Sequence, residues 1–444
     1  MKKTLILSLA LALGLSALSG CSAGENGAIT ALPEATGELN LHVSPIMGGW
    51  MNPAIAAYQE KFPNVQVNVE NHDESQWGSD IESVQTALMA GKGPDLIYRP
   101  EYFFSDIQKT MSTGVFADLN PYFDLDPEIS LEELETTVLT AGQQKGRQYV
   151  IPLTYNIPML LTSKEALAEF GMDEAELRKG YLETSRQIAS YLERRQDPPV
   201  YDRLFAGMYY PDYLGLSFLD YDKRTVDFSF PEFREAAELY KPFYKMDSPM
   251  VEGITTTNFD GCQDVLGRKT VLAPYSDSSG LEPLENARVI ASEETPVLIP
   301  VLGTDGKSSG LIYNAAAVRS SGNQRNAWEF MKILLSEQIQ NERINLLSFP
   351  IRKSCVSARL EEAMETPEGY KLDLGGKMLT MAALPEDVQK DYEAAYANLG
   401  HASFNFGYLS GQVASYLAPY YEDEKSLDAC IEELTNAMEI YISE

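Results

Sequence analysis

Cysteine and histidine are scarce in this chain: 444 residues hold four cysteines and three histidines. Cys21 apart, Cys262, Cys355 and Cys430 allow one internal disulfide at most, which excludes a disulfide framework. His42, His72 and His401 are scattered, with none paired at metal-ligand spacing, which argues against a zinc site. Positive charge is short as well. Lysine and arginine number 35 against 65 acidic residues, for a formal charge of −30. No basic patch is available to replace phosphate counterions, so nucleic acid is excluded as a partner. Anionic headgroups gain nothing from such a surface either. Catalytic signatures are missing too: there is no G-x-S-x-G elbow, no H-E-x-x-H and no Walker A sequence. A glycan-acting enzyme would need two carboxylates about 5 or 6.5–9.5 Å apart, but among so many acids any pair is uninformative. After the amino terminus no run approaches the roughly 20 apolar residues that cross a bilayer, and no internal repeat is visible.

What is present begins with an address. Met1-Lys2-Lys3 leads into an apolar run from Leu5 to Leu18, then Leu18-Ser19-Gly20-Cys21. A basic start, a short apolar core and small residues at the end make a secretory signal over residues 1–20 rather than a membrane span. Leu-Ser-Gly-Cys resembles the bacterial lipobox, in which Cys21 becomes the acylated first residue. Residues 21–37, rich in Ala, Gly, Ser, Thr and Glu, read as a flexible tether reaching at most about 50 Å. The acidic surface keeps such an exported protein in solution.

Beyond the tether the pattern is β-α-β-α-β. Leu39–Val43 and Val65–Val69 alternate as strands, and Asp95-Leu96-Ile97-Tyr98 is a short buried one. Between them, Met51, Ala54, Ile55, Tyr58 and Phe62, and then Ile81, Val84, Leu88 and Met89, recur at helical spacing. Such a pattern implies a mostly parallel sheet with helices on both faces. Ligands of such sheets sit outside the carboxyl ends of the strands. Three loops qualify there, 44–52, 72–79 and 99–104, carrying Trp50, Trp77, Arg99, Glu101, Tyr102 and Phe103. Each tryptophan reads equally well as packed back on the core, and Arg99 with Glu101 as a surface pair worth under about 1 kcal/mol.

The stretch Gly146 to Leu160 reads as a buried strand, Tyr149 to Leu153, interrupted by Pro152 and Pro158 with Tyr155 and Asn156 between. Interior strands rarely hold proline, which donates no ladder hydrogen bond. The segment is either a bent strand or a hinge whose polar residues face a cleft. If it is a hinge, Asn156→Ala should weaken ligand binding and leave stability nearly unchanged. Further on, Leu204–Tyr210 reads as a strand, Tyr221–Phe230 as a hairpin, and Pro231 as the start of a helix. Gly261–Leu266 reads as a short helix, Thr270–Ala273 as a strand emptying into the loop 274–280, and Leu311–Val318 as another strand. Asn326–Ser336 is an amphipathic helix with Trp328 in the core, and the rest of the chain is expected to be helical. Within it, Phe404-Asn405-Phe406-Gly407-Tyr408 is an aromatic interruption.

Several segments carry a resemblance. Tyr58-Gln59-Glu60-Lys61-Phe62-Pro63-Asn64-Val65, Ala90-Gly91-Lys92-Gly93-Pro94-Asp95-Leu96-Ile97 and Thr113-Gly114-Val115-Phe116-Ala117-Asp118-Leu119-Asn120-Pro121 are three of them. Gly146-Arg147-Gln148-Tyr149-Val150-Ile151-Pro152-Leu153 and LSFPIRKS at 347–354 are two more. In order and spacing the set resembles the family 1 solute-binding proteins of carbohydrate ABC importers. The resemblance implies a type II periplasmic-binding-protein fold: two α/β lobes joined by hinge crossings, with a ligand cleft between them. It implies one lobe of residues 38–152 plus 299–350 and another of 153–298 plus 351–444. It also implies a carbohydrate ligand, a permease pair with a cytoplasmic ATPase as partners, and a lipid-anchored monomer at the outer face of the membrane that needs no cofactor.

Sugars offer flat C–H faces and rims of hydroxyls, which call for aromatic platforms beside paired polar groups. The candidate platforms are Trp50, Trp77, Tyr155, Tyr210, Tyr275 and Tyr408; the candidate polar partners are Glu101, Asn156, Asp212 and Asp277. Alignment with the family's maltose-binding members places Asn156 at a hinge carboxylate and Tyr275 at an aromatic. It places Arg99 at an aromatic position and Tyr102 at an acid, departures that imply a different grip on the ligand. Ferric-binding relatives of the fold use adjacent tyrosines, so Tyr209-Tyr210 and Tyr420-Tyr421 leave iron as an alternative ligand.

Overall fold

The computed structural model describes residues 32, 34–43, 48–71, 77–194, 210–246, 261–275, 279–342, 347–365, 369, 371–374, 377–404 and 408–444. Two sheets organise it. Strands β1 (Glu38–Val43), β2 (Gln66–Asn71) and β3 (Leu96–Tyr98) belong to the larger, seven-stranded sheet. So does β4 (Val150–Asn156). Strands β5 (Met159–Ser163), β6 (Ala273–Tyr275) and β7 (Pro296–Pro300) form the smaller sheet, with β5 in the middle and antiparallel to both neighbours. The chain returns to the larger sheet with β8 (Ser308–Val318), β9 (Phe349–Pro350) and β10 (Leu399–Phe404). Its order is β2-β1-β3-β8-β4-β9, with β10 parallel to the first half of β8.

The amino-terminal half follows the alternation of its sequence. β1 runs parallel to β2 and β3, and Leu39 and Leu41 point into the core. Asp95, just ahead of β3, ties the sheet together. Its Oδ2 accepts from the backbone and side-chain nitrogens of Asn40, both at 2.9 Å. Its Oδ1 accepts from Arg319 Nη2 at 2.9 Å and from the Asn323 backbone at 2.8 Å. Those last bonds fix the start of the helix Gln324–Leu334, on which Trp328 is fully buried and donates Nε1–H to Asp126 Oδ2.

Several expectations are corrected. The strand at the proline pair does not stop at Leu153: β4 continues through Asn156, buried at every position. Pro152 lies opposite Ala315, where the register of β8 against β4 shifts, and this irregularity lets an interior strand hold a residue without an N–H. Pro158 occupies the two-residue passage from β4 to β5. Residues 296–300 pair with β5 in the smaller sheet, and the return to the larger one comes with β8. The carboxyl-terminal region is not all helix: β10 and the hairpin Lys371–Leu374 with Lys377–Thr380 lie within it. Tyr210 opens the helical turn Tyr210–Tyr213, so it is not the end of a strand. Residues 204–209 of that expected strand lie outside the described residues. The hairpin at residue 221 is Leu219–Asp220 against Thr225–Val226, two residues earlier than its expected start. Among the described residues Cys262, Cys355 and Cys430 are buried and form no disulfide.

Candidate functional site

A cavity of about 460 Å³ lies between segments from distant parts of the chain. One wall comes from the turn after β3. Pro100–Phe103 is a single helical turn whose cap, Arg99, has a left-handed backbone, φ 55° and ψ 58°. That conformation is strained for a side chain with a Cβ. It is held on both sides: the Arg99 N–H donates to the Ala315 carbonyl at 2.8 Å, and Nε donates to Glu101 Oε1 at 3.1 Å. The guanidinium also sits 3.8 Å from the Tyr102 ring centroid and 5.1 Å from that of Tyr313. The turn thereby delivers Glu101 to the cavity. Phe104 and Asp106 follow on the same wall. Asp106 caps the helix Ile107–Met111, its Oδ1 accepting from the Lys109 N–H at 2.9 Å.

The opposite wall is Pro211–Tyr221, with Asp212, Phe218 and Tyr221 on the cavity. Tyr221 O–H donates to Asp106 Oδ2 at 2.7 Å, joining the two walls. Asp212 Oδ2 accepts from Ser410 Oγ at 2.8 Å. The floor is β10 from Gly400 to Phe404 with Ser309 of β8, and Tyr408 closes one side, stacked on Tyr441 at 4.4 Å. His401 on that floor meets Asp305 Oδ2 at 2.8 Å.

Buried polar groups on the lining lack partners, Glu101 and Ser309 among them. Glu101 Oε2 and Ser309 Oγ are buried with no hydrogen bond, and Ser309 is only 4% exposed. Burial raises the Glu101 carboxyl from its ordinary 4.5 to about 7 against the pull of Arg99. Burial likewise raises Asp212 from 3.8 to about 6 although Ser410 hydrogen-bonds it. Two buried acids with raised proton affinity on one cavity make it a candidate binding site.

Residues 44–341 match the family described as bacterial extracellular solute-binding protein. The chain belongs to that family. Solved structures share the fold of this solute-binding protein at low identity. The sugar-binding protein MalE of Xanthomonas citri superposes with a TM-score of 0.63 at 14% identity, covering 91% of this chain and 97% of that one. An ABC substrate-binding protein of Listeria monocytogenes in complex with cycloalternan gives 0.59 at 12%, covering 92% and 100%. The cyclic alpha-maltosyl-1,6-maltose binding protein of Arthrobacter globiformis gives 0.59 at 16%, covering 91% and 99%. No curated protein sequence matches. The fold is the type II periplasmic-binding-protein fold, two α/β lobes with a cleft between them.

Among the residues singled out from the sequence, the cavity of the solute-binding protein brings together Glu101, Asp212 and Tyr408. Arg99 stands behind Glu101, and Tyr102 is 40% exposed outside the lining. Four others lie in the packed interior, away from this cavity's lining. Tyr155 is fully buried and stacks on Phe349 at 5.5 Å. Asn156 Oδ1 accepts from Ser279 N–H at 3.3 Å and from its hydroxyl at 3.2 Å. The Tyr210 hydroxyl meets that of Tyr421 at 3.0 Å in the core. Tyr275 is buried on β6. Trp50 lies in the helix Gly48–Lys61 and Trp77 opens the helix Trp77–Met89, so neither is on a loop as expected. Their side chains, and Asp277 and Cys21 entirely, lie outside the described residues. Sequence reasoning missed Asp106, Phe218 and Ser309 as wall residues. Asp106 carried a signal, an acid at the head of the helical run Ile107–Met111, but nothing in the sequence told a cap facing solvent from one facing a cavity.

Proposed function

We propose that this solute-binding protein captures a carbohydrate, an oligosaccharide, in the cavity described above and passes it to the permease pair of an ABC importer driven by a cytoplasmic ATPase. The cavity wall carries this reading. Phe104, Phe218, Tyr221, Phe404 and Tyr408 offer faces for sugar C–H surfaces, beside acceptors and hydroxyls that await partners. Its volume lies within the roughly 300–1,000 Å³ of small-molecule sites. The cycloalternan held by the Listeria protein supports a glycan as the ligand class.

Capture proceeds by closure of a lobe built on the larger sheet against a lobe built on the smaller one. The crossings are the passages from β4 to β5, from β7 to β8 and from β9 to the helix Lys353–Glu365. A ligand touching the Glu101–Gln108 wall and the Pro211–Tyr221 wall stabilises the closed form. Cys21 carries the lipid that holds the monomer at the outer face of the cell membrane. The chemistry is binding, with no bond made or broken and no cofactor. The hydroxyls of Tyr210 and Tyr421 engage one another inside the core, which favours a glycan over iron.

A thermal-shift screen over mono- and oligosaccharides tests the proposal. A ligand at 100 times its Kd adds about 2.7 kcal/mol, a clear rise in midpoint. No shift with any neutral or amino glycan overturns it.

A further inference from the structure

The cavity is charged on one side of the ledger. Among the described residues its wall holds three carboxylates, Glu101, Asp106 and Asp212, and no lysine or arginine. Its imidazole, His401, is engaged with Asp305 outside the wall. Behind the wall stands one guanidinium, that of Arg99 on Glu101. Lys109, three residues from Asp106, turns its ammonium to the Tyr441 carbonyl at 2.8 Å and lies 3.8 Å from the Tyr441 ring centroid. Asp106 receives neutral donors, the Lys109 N–H and the Tyr221 hydroxyl; Asp212 receives the Ser410 hydroxyl. Such donors satisfy lone pairs without cancelling charge, and buried uncancelled charge is costly. An independent observation marks the same place as unfinished: Ser309 Oγ on the floor and Glu101 Oε2 on the wall have no partner.

A metal does not meet this need. Among the described residues no three His, Cys, Asp or Glu side chains are grouped to hold one. An anionic sugar would add to the repulsion. An organic ammonium meets it, because its N–H groups satisfy carboxylate lone pairs, its charge offsets theirs, and the aromatic wall favours it further.

We propose that the ligand is a glycan bearing a protonated amine, with the ammonium received by Glu101 and Asp212. This rests on the glycan reading above and narrows it. The raised proton affinity of both acids in the empty cavity agrees, since they draw a proton to the place the ligand's ammonium takes.

Calorimetric titration at neutral pH tests it, using the mature chain and three matched series of oligosaccharides: free-amine glucosamine oligomers, their N-acetyl forms, and hydroxyl forms of the same linkage. Spermidine is the non-glycan amine. The free-amine glycan is expected to bind at least about tenfold more tightly than its neutral partners, one charge-assisted bond being the difference. In Glu101→Gln with Asp212→Asn that preference shrinks below about threefold. A second readout needs no variant: raising salt from about 0.05 to 0.5 M weakens wild-type binding of the amine more than that of a neutral glycan. Equal or tighter binding of a neutral series overturns the amine and leaves the glycan reading standing. Binding of spermidine with no glycan bound overturns the glycan reading, and this proposal with it.

Discussion

Glu101 and Asn156 show how burial assigns different work to residues that look alike in the sequence. Glu101 is carried to the cavity by a strained turn, and its carboxyl takes a proton at about 7 in the folded protein against 4.5 ordinarily. Arg99, Tyr98, Tyr102 and Tyr313 surround the turn. Asp212, beside Ser410, does so at about 6 against 3.8. The folded state therefore binds protons more tightly than the unfolded one at both sites. Their contribution to stability is full below about pH 4, is lost as pH rises through 6 and 7, and is level above that. Denaturant unfolding of the ligand-free protein should show this as a component that lowers the midpoint between pH 5 and 8, and Glu101→Gln should shrink the difference. A difference unchanged in that variant contradicts the assignment. Asn156, by contrast, holds Ser279 inside the protein. Asn156→Ala strands a buried N–H and hydroxyl, so we expect a loss of about 1–3 kcal/mol in urea unfolding, against the sequence expectation of a stable variant with weak binding. Unaltered stability would return Asn156 to the cleft.

At the scale of elements, the cavity wall is fastened to a passage between the two sheets. Leu214, on the Pro211–Tyr221 wall, accepts from the Thr304 N–H at 3.0 Å, and a Cβ on Gly303 would stand 2.9 Å from the same carbonyl oxygen. Gly303→Ala must push wall and passage apart. It should cost about 1–3 kcal/mol in chemical unfolding and weaken ligand binding in the same preparation. A variant as stable and as tight as wild type would show the passage to be slack. These contacts also explain what was legible in the sequence. β1, β2 and β3 were, since their alternation reports one buried face each, and so was the amphipathic helix around Trp328. β10 was not. Its LGHASF is mostly half-buried, giving no period to read, and its partner β8 lies some 90 residues earlier. The extension of β4 past Pro152 was illegible for a related reason: the register shift that accommodates the proline belongs to the neighbouring strand.

Over the whole molecule, the cavity and its surroundings are joined by pairs remote in sequence. Tyr221 bonds Asp106, the Lys145 N–H donates to Asp222 Oδ2 at 3.0 Å, and Lys109 reaches Tyr441. No local pattern announces such pairs. That is why the family and fold were legible from motifs while, among the described residues, Glu101, Asp212 and Tyr408 of the predicted site set reach the cavity. The central claim is that this cavity, and not another surface, takes the glycan. Titrating the best glycan from the screen into wild type and into Phe218→Ala with Tyr408→Ala tests it most directly, with circular dichroism confirming that the variant folds. Loss of two aromatic platforms should weaken binding at least about tenfold, since a buried ring is worth a kcal/mol or more. A folded variant that binds the same glycan as tightly as wild type would contradict the account.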